Sequence, residues 1–316
     1  MSRTITVGLD GSPESRAAAE WAAREAQLRG LPVKLLQVWE PVPEPMALAQ
    51  LLGADTHQHW TERVPREAAG ELRSRHPGVE VTTEHVTGKP AEALARAAGD
   101  AELLVLGSRG LGGIRGFLVG SVGLAAVAST ERPVVLVRAD EQTTGEQTTR
   151  EQATGEQATD EPETDVAGTP STAAAVRPVV LGLDVAGPDE ALLAFAFDAA
   201  ARRNVPLRVV HGWNPPPYYA YGMGLEPAVE REMAKADAAA VTEVLRPWRQ
   251  KFPGVEVVEQ LHFGSPSLLL IEASREASLV VVGRRIRRAA FGARLGPVIH
   301  AVLHHAAAPV AVVAHD

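Results

Sequence analysis

Residues 101–121, AELLVLGSRGLGGIRGFLVGS, join a continuously apolar run to a loop in which six of the fifteen residues from Gly107 to Ser121 are glycine. The run Leu103-Leu-Val-Leu106 does not alternate, so it reads as a strand covered on both faces, as in a parallel sheet. Glycine admits φ > 0 and lets backbone N–H groups approach a ligand that a Cβ would hold off. The spacing therefore predicts a chain that turns off the strand at Gly107 and Gly110 with φ > 0. The small residues after Gly120-Ser121 read as a helix whose unpaired N–H groups and positive dipole end attract an anion. Ser121 is placed to cap that helix or to offer its hydroxyl to a phosphate.

Outward from this loop the same alternation continues. Toward the N-terminus lie a strand over 4–9, then Asp10-Gly-Ser-Pro-Glu14, where Ser12 is a helix cap with Pro13 at the first helical position. An Ala-rich helix to about residue 29 follows, then a strand over 33–39, a Pro-rich irregular stretch over 40–52 and a charged helix over 55–76. A strand over 79–86 and a short helix from Pro90 lead into the apolar run, and a last strand over 134–138 ends the unit. Strands alternating with helices imply right-handed crossovers and a five-stranded parallel sheet covered on both faces.

The unit occurs twice. His76-Pro-Gly-Val-Glu-Val81 returns as Phe252-Pro-Gly-Val-Glu-Val257, Gly88-Lys-Pro90 as Gly264-Ser-Pro266, and Gly107 as Gly283, all 176 residues on. Val7-Gly-Leu-Asp10 returns as Leu181-Gly-Leu-Asp184, and Trp39 as Trp213, 174 residues on. Expected strands of the second copy fall at 178–183, 207–211, 255–261, 279–282 and 310–313. The chain is thus read as a tandem duplication, with one domain at 1–139, a linker at 140–176 and a second domain at 177–316. The linker carries nine acids and one base between Ala139 and Ala175, the whole of the chain's formal charge of -8. With almost no large apolar residue, it is expected to be a disordered tether, an acidic docking tail being the alternative. Asn214-Pro-Pro-Pro-Tyr-Tyr-Ala-Tyr221 gathers all three tyrosines and reads as a loop packed by its own aromatics, or else as a lid or partner surface.

Composition removes several classes of function. No cysteine is present, so thiol chemistry and disulfides are excluded. Outside the linker the charge sums to about zero, which argues against a nucleic-acid surface. No signal-peptide core or transmembrane-length apolar run is seen, so a cytoplasmic protein without membrane attachment is expected. His57 and His59, and His300 and His304, have metal-ligand spacing but no companion carboxylate, so they are read as solvated or core-edge side chains and no metal site is assigned.

Gly107-x2-Gly110, nine residues, then Gly120-Ser121 resembles the G-x2-G-x9-G-[S/T] signature of the ATP-binding branch of the universal stress protein family. Val7-Gly-Leu-Asp10-Gly-Ser12, Gly88-x-Pro90 and Pro133-Val-Val-Leu-Val137 are similar to its opening loop, third helix start and last strand. The resemblance implies Rossmann-like α/β domains of strand order 3-2-1-4-5. It also implies adenosine against Gly8, Leu9, Asp10 and Val38, and phosphates at Gly107, Gly110, Gly120 and Ser121, with Leu106 and Val122 flanking. ATP, accompanied by Mg²⁺, is then a regulatory or sensing ligand, and no catalytic residue is assigned. In the family the last strands pair between domains, which implies an intrachain pseudo-dimer of the two copies. A homodimer of the chain and an unidentified protein partner stay open.

Rival readings are a slow ATP hydrolase and a nucleotide-independent interaction module. The Ser-Gly-Gly-x-Asp-Ser loop of adenine-nucleotide hydrolases is missing from Asp10-Gly-Ser-Pro-Glu14. No G-x4-G-K-[S/T] occurs, and no G-x-G-x-x-G follows the first strand. The second copy departs from the pattern, with Ile286 where Gly110 stands and Pro297 where Ser121 stands. Its nucleotide site is read as degenerate, and Arg284, Arg285, Arg287, Arg288 and Arg294 as facing solvent, the linker or a partner; an anion held by these arginines without a glycine cradle is the alternative.

Overall fold

The computed structural model describes residues 3–40, 54–108, 119–139, 176–213, 227–286 and 295–316. The Pro-rich stretch after the second strand, the tyrosine-bearing stretch 214–221, the acidic segment, Gly110, Arg287, Arg288 and Arg294 lie outside these residues.

The first half runs β1 (Thr4–Leu9), α1 (Pro13–Arg29), β2 (Val33–Trp39), α2 (Ala54–Arg75), β3 (Val81–Thr87), α3 (Pro90–Gly99), β4 (Ala101–Gly107), α4 (Ser121–Ser129) and β5 (Val134–Val137). The second runs β6 (Val179–Gly182), α5 (Glu190–Arg203), β7 (Leu207–Trp213), α6 (Pro227–Lys251), β8 (Val257–Phe263), α7 (Pro266–Ala273), β9 (Leu279–Arg285), α8 (Pro297–His305) and β10 (Val310–His315). All ten strands form one sheet of order β3-β2-β1-β4-β5-β10-β9-β6-β7-β8. Each half therefore has the expected order 3-2-1-4-5, parallel throughout. The halves meet where β5 and β10 pair antiparallel, Val135 opposite Ala311.

Local chemistry sets these boundaries. Ser12 Oγ accepts from the Ser15 amide at 3.1 Å and Pro13 opens α1. Gly30, at φ 63°, closes it in the left-handed conformation. Asn204 does the same for α5 at φ 51°, as the short polar side chain of asparagine tolerates. Sequence places the third strands two residues early, because each opens with a tight turn. The Val79 amide bonds the His76 carbonyl at 3.0 Å and the Val255 amide the Phe252 carbonyl at 3.1 Å, so pairing begins only at Val81 and Val257. β9 departs in the other direction, running three residues past its expected end to Arg285, which pairs with His315 of β10.

Both faces of the sheet are packed, and each apolar layer passes uninterrupted through the seam. On one side Trp21, Ala22, Val135 and Val137 join Phe197, Val281 and Ala311; on the other Leu104, Val127 and Leu136 join Val280, Val302 and Val312. Pairing β5 with β10 thus removes two exposed sheet edges at once. An ion network spans the same seam between α1 and α5. Buried Glu25 accepts from Arg29 at 2.5 Å and from Arg203 of the opposite half, while Arg29 also reaches Asp198 at 3.2 Å. Arg203 lies over the Trp21 ring, 5.9 Å from its centroid. Burial lowers the Arg203 guanidinium below its ordinary proton affinity, and the Glu25 charge opposes that.

Candidate functional site

In open parallel sheets a ligand cleft forms beyond the C-terminal strand ends, where neighbouring crossovers leave on opposite faces. Each half has such a cleft. The first, of about 310 Å³, is lined by Gly8, Leu9 and Asp10 after β1, by Leu36 and Val38 of β2, and by Leu106 and Gly107 of β4, with Gly120, Ser121 and Val122 opening α4. Nine of the ten residues expected from sequence face this one space, and Gly110 lies outside the described residues. Ser12, Ser15, Pro90, Leu94 and Gly123 also line it; these five and Leu36 are not among the residues expected from sequence. The Gly88-x-Pro90 helix start was their available signal, since it stands at the same end of the sheet.

The reasons for the glycines differ from those read from sequence. Gly107 does not have positive φ. It is glycine because α1 begins against it: a Cβ there would stand 2.5 Å from the Glu14 carbonyl carbon and 2.7 Å from the Ser15 nitrogen. Gly8 is similarly closed in, with Leu106 Cδ2 at 2.6 Å from a Cβ. Positive φ appears instead at Gly11, 83°, in the loop after β1. There the Ser12 amide and hydroxyl donate to Asp10 Oδ1 at 3.0 and 2.5 Å, which folds the loop back under the cleft.

Ser121 is not the helix cap. Gly120 occupies that position, with φ -62° and ψ 154°, and no side chain accepts from the first turn of α4. An uncapped start leaves the first amides and the positive end of the helix dipole available to an anion. The arrangement can bind a charged group, and among the described residues Asp10 is the one titratable side chain lining this cleft. Among the described residues, no three His, Cys, Asp or Glu side chains gather as a metal site, and no helix is long and apolar enough to cross a membrane. His304 is buried, His300 is exposed, and their rings stand 4.4 Å apart on α8.

The second cleft occupies the equivalent place at about 610 Å³. Its apolar wall includes Leu183, Leu192, Val210, Leu270, Val282 and Ile299; among the described residues Asp184, His211, Arg284, Arg285 and His315 are its charged and histidine side chains. The turn after its first strand is kept, since the Ala186 amide donates to Asp184 Oδ1 at 3.0 Å. The loop after its fourth strand is not. Where the first half leaves the sheet at Ser108, β9 continues, and the Ile286 amide is spent on the His315 carbonyl at 2.6 Å. Gly296 caps α8 with no side-chain partner, and Pro297 removes one amide from its first turn.

Two doubly wound α/β units fused through their last strands, each with a cleft over its switch point, define the class of protein. The universal stress protein family model matches residues 1–138 and again 175–314. A universal stress protein of Mycolicibacterium smegmatis is 31% identical over 319 residues, 98% of this chain and 96% of that protein. One of Mycobacterium tuberculosis strain H37Rv is 30% identical over 326 residues, with 98% and 96% covered. The crystal structure of a universal stress protein from Archaeoglobus fulgidus shares the fold over 100% of both chains, with TM-score 0.67 at 16% identity. The chain belongs to the universal stress protein family, in its tandem two-domain form.

Proposed function

We propose that the first domain binds ATP, accompanied by Mg²⁺, and that this chain is a cytoplasmic, nucleotide-dependent regulator or sensor in the stress response. In this reading residues 1–139 are the nucleotide domain, 140–176 the linker, and 177–316 a second domain of the same fold with a degenerate nucleotide site. The supporting observation is the convergence of Gly8, Leu9, Asp10, Val38, Leu106 and Gly107 on the uncapped start of α4. Adenosine would lie on the short side chains at the ends of β1 and β2. The phosphates would take the amides of Ser121 and Val122 beside Gly107, with the Ser121 hydroxyl as a further donor. Gly110 completes this set as an expectation from sequence. A Mg²⁺ ion suits the cleft's carboxylate, Asp10, which would hold it together with phosphate oxygens and water, and the ion would neutralise phosphate charge.

Ligand at 100 times its dissociation constant stabilises a fold by about 2.7 kcal/mol, so ATP is expected to raise the melting temperature. Gly120→Asp tests the site without harming the helix. Its backbone is extended, as any residue tolerates, and Asp caps a helix at least as well as Gly. The variant is expected to keep the unliganded melting temperature and to lose the ATP shift. Absence of any shift with ATP, ADP or AMP in the unaltered protein would instead favour the interaction module, and phosphate release in the same samples would favour the hydrolase.

A further inference from the structure

The second cleft is twice the volume of the first and has a different polar equipment. Its buried cation is Arg284, which stands where the first half has Ser108. Its Nη2 donates to the Thr130 carbonyl at the end of α4 at 2.6 Å, but its Nε is buried without a partner. Burial lowers the proton affinity of this guanidinium, and Glu131 alone among neighbouring charges offsets that. Arg285 stands at the mouth, 4.0 Å from Asp184 Oδ2. His211 Nδ1 faces the Leu183 carbonyl at 2.9 Å; a carbonyl only accepts, so Nδ1 carries the proton and Nε2 is the ring's second polar atom. His315 Nδ1 lies 3.9 Å from Asp189, the residue that caps α5. Asp184 thus faces Arg285, and Asp189 accepts from the Ala191 and Leu192 amides, which leaves Arg284 Nε as the buried donor of the cleft without a partner among the described residues.

The donors suit a small head group. Pro297 and the strand-committed Ile286 amide remove two contacts that a polyphosphate could use, and among the described residues the Val298 and Ile299 amides and Arg284 Nε remain. The wall beneath them is aliphatic. We propose that the second cleft binds an amphiphilic monoanion, an acyl or aryl body ending in a single carboxylate, with the head group at the start of α8 beside Arg284. The body packs on Leu183, Val210, Leu270 and Ile299, in the volume that the first half does not have. This assignment holds whatever occupies the first cleft, because the two sites have separate readouts.

The test is calorimetric titration of the full chain with octanoate, octanol and ATP. Octanoate is expected to bind one site per chain, and octanol at least 10-fold more weakly. Arg284→Gln and Gly296→Asp should each weaken octanoate at least 10-fold and leave the ATP titration unchanged. Gly296→Asp protects the test against misfolding, since a Cβ at Gly296 meets nothing within 4 Å and Asp is a favoured helix cap. No octanoate binding, equal binding of octanol, an unchanged affinity in Gly296→Asp, or a second ATP site lost in Gly296→Asp each overturns the proposal. An absent ATP titration alongside intact octanoate binding would count against the first-cleft reading alone.

Discussion

Replacing Glu25 with Ala lowers the unfolding free energy of the full chain by about 3–5 kcal/mol, the usual consequence of removing one partner from a buried ion network. The carboxylate is shared by Arg29 of its own helix and Arg203 of the opposite domain, and the three side chains are 2%, 8% and 12% exposed. Deleting it leaves two guanidiniums in the seam, with Asp198 the remaining acid near Arg29 at 3.2 Å. Arg29 Nη2 already lacks a partner, so the network has no spare acceptor to take over. Urea unfolding followed by tryptophan emission measures the loss, because Trp21 lies under Arg203. A loss below about 1 kcal/mol would place these charges among those that contribute nothing measurable. Replacing Glu25, Arg29 and Arg203 together by Leu or Met should recover much of the stability, since a filled apolar seam often matches or exceeds a buried ion cluster. Recovery would assign the cost to uncompensated charge rather than to lost packing. ATP affinity should survive Glu25→Ala, as none of the network's residues lines the first cleft.

That network was invisible in the sequence, and the reason is geometric. Glu25 and Arg29 form an i,i+4 pair on α1, which in isolation reads as an ordinary solvated helix face. Arg203 lies 178 residues away, and it joins them only because β5 pairs with β10 and brings α1 beside α5. The sheet itself was legible because its causes are local: apolar runs without alternation, Ser12-Pro13 at a helix start, and a repeat with nearly constant offset. The strand order and the set of residues at the first cleft came instead from the family resemblance, and the order 3-2-1-4-5 is what brings the ends of β1 and β4 together. The parts that were misread depend on what packs from elsewhere. Gly107 was assigned a positive φ from the glycine-rich run that follows it, whereas its lack of a Cβ answers to the backbone of α1, nearly a hundred residues earlier. Likewise the departure of the second domain was traced to Ile286 and Pro297, but the fuller cause is the extra pairing of Arg285 with His315, which sequence periodicity does not resolve over three residues.

Gly107→Ala distinguishes a glycine required by the approach of α1 from one required for positive φ. Were the glycine needed for φ > 0, the substitution would strain the loop and leave α1 in place. In the structure the added methyl carbon meets the main chain of Glu14 and Ser15 at 2.5–2.7 Å, distances no side-chain rotation relieves. The first turn of α1 must move away from β4. Overpacking against such neighbours costs about 1–3 kcal/mol, and the displaced turn carries Ser12, whose contacts hold Asp10 in the cleft. Gly107→Ala is therefore expected to lose stability and at least 10-fold in ATP affinity together. Gly120→Asp should lose the nucleotide alone, and Glu25→Ala stability alone. Crystallography or amide exchange locates the change: in Gly107→Ala the amides of 14–17 should exchange faster, because they belong to the turn that gives way. Unchanged exchange in α1 with a weakened ATP titration would return the argument to the loop after β4, and would mean that the close approach of the helix adapts without cost.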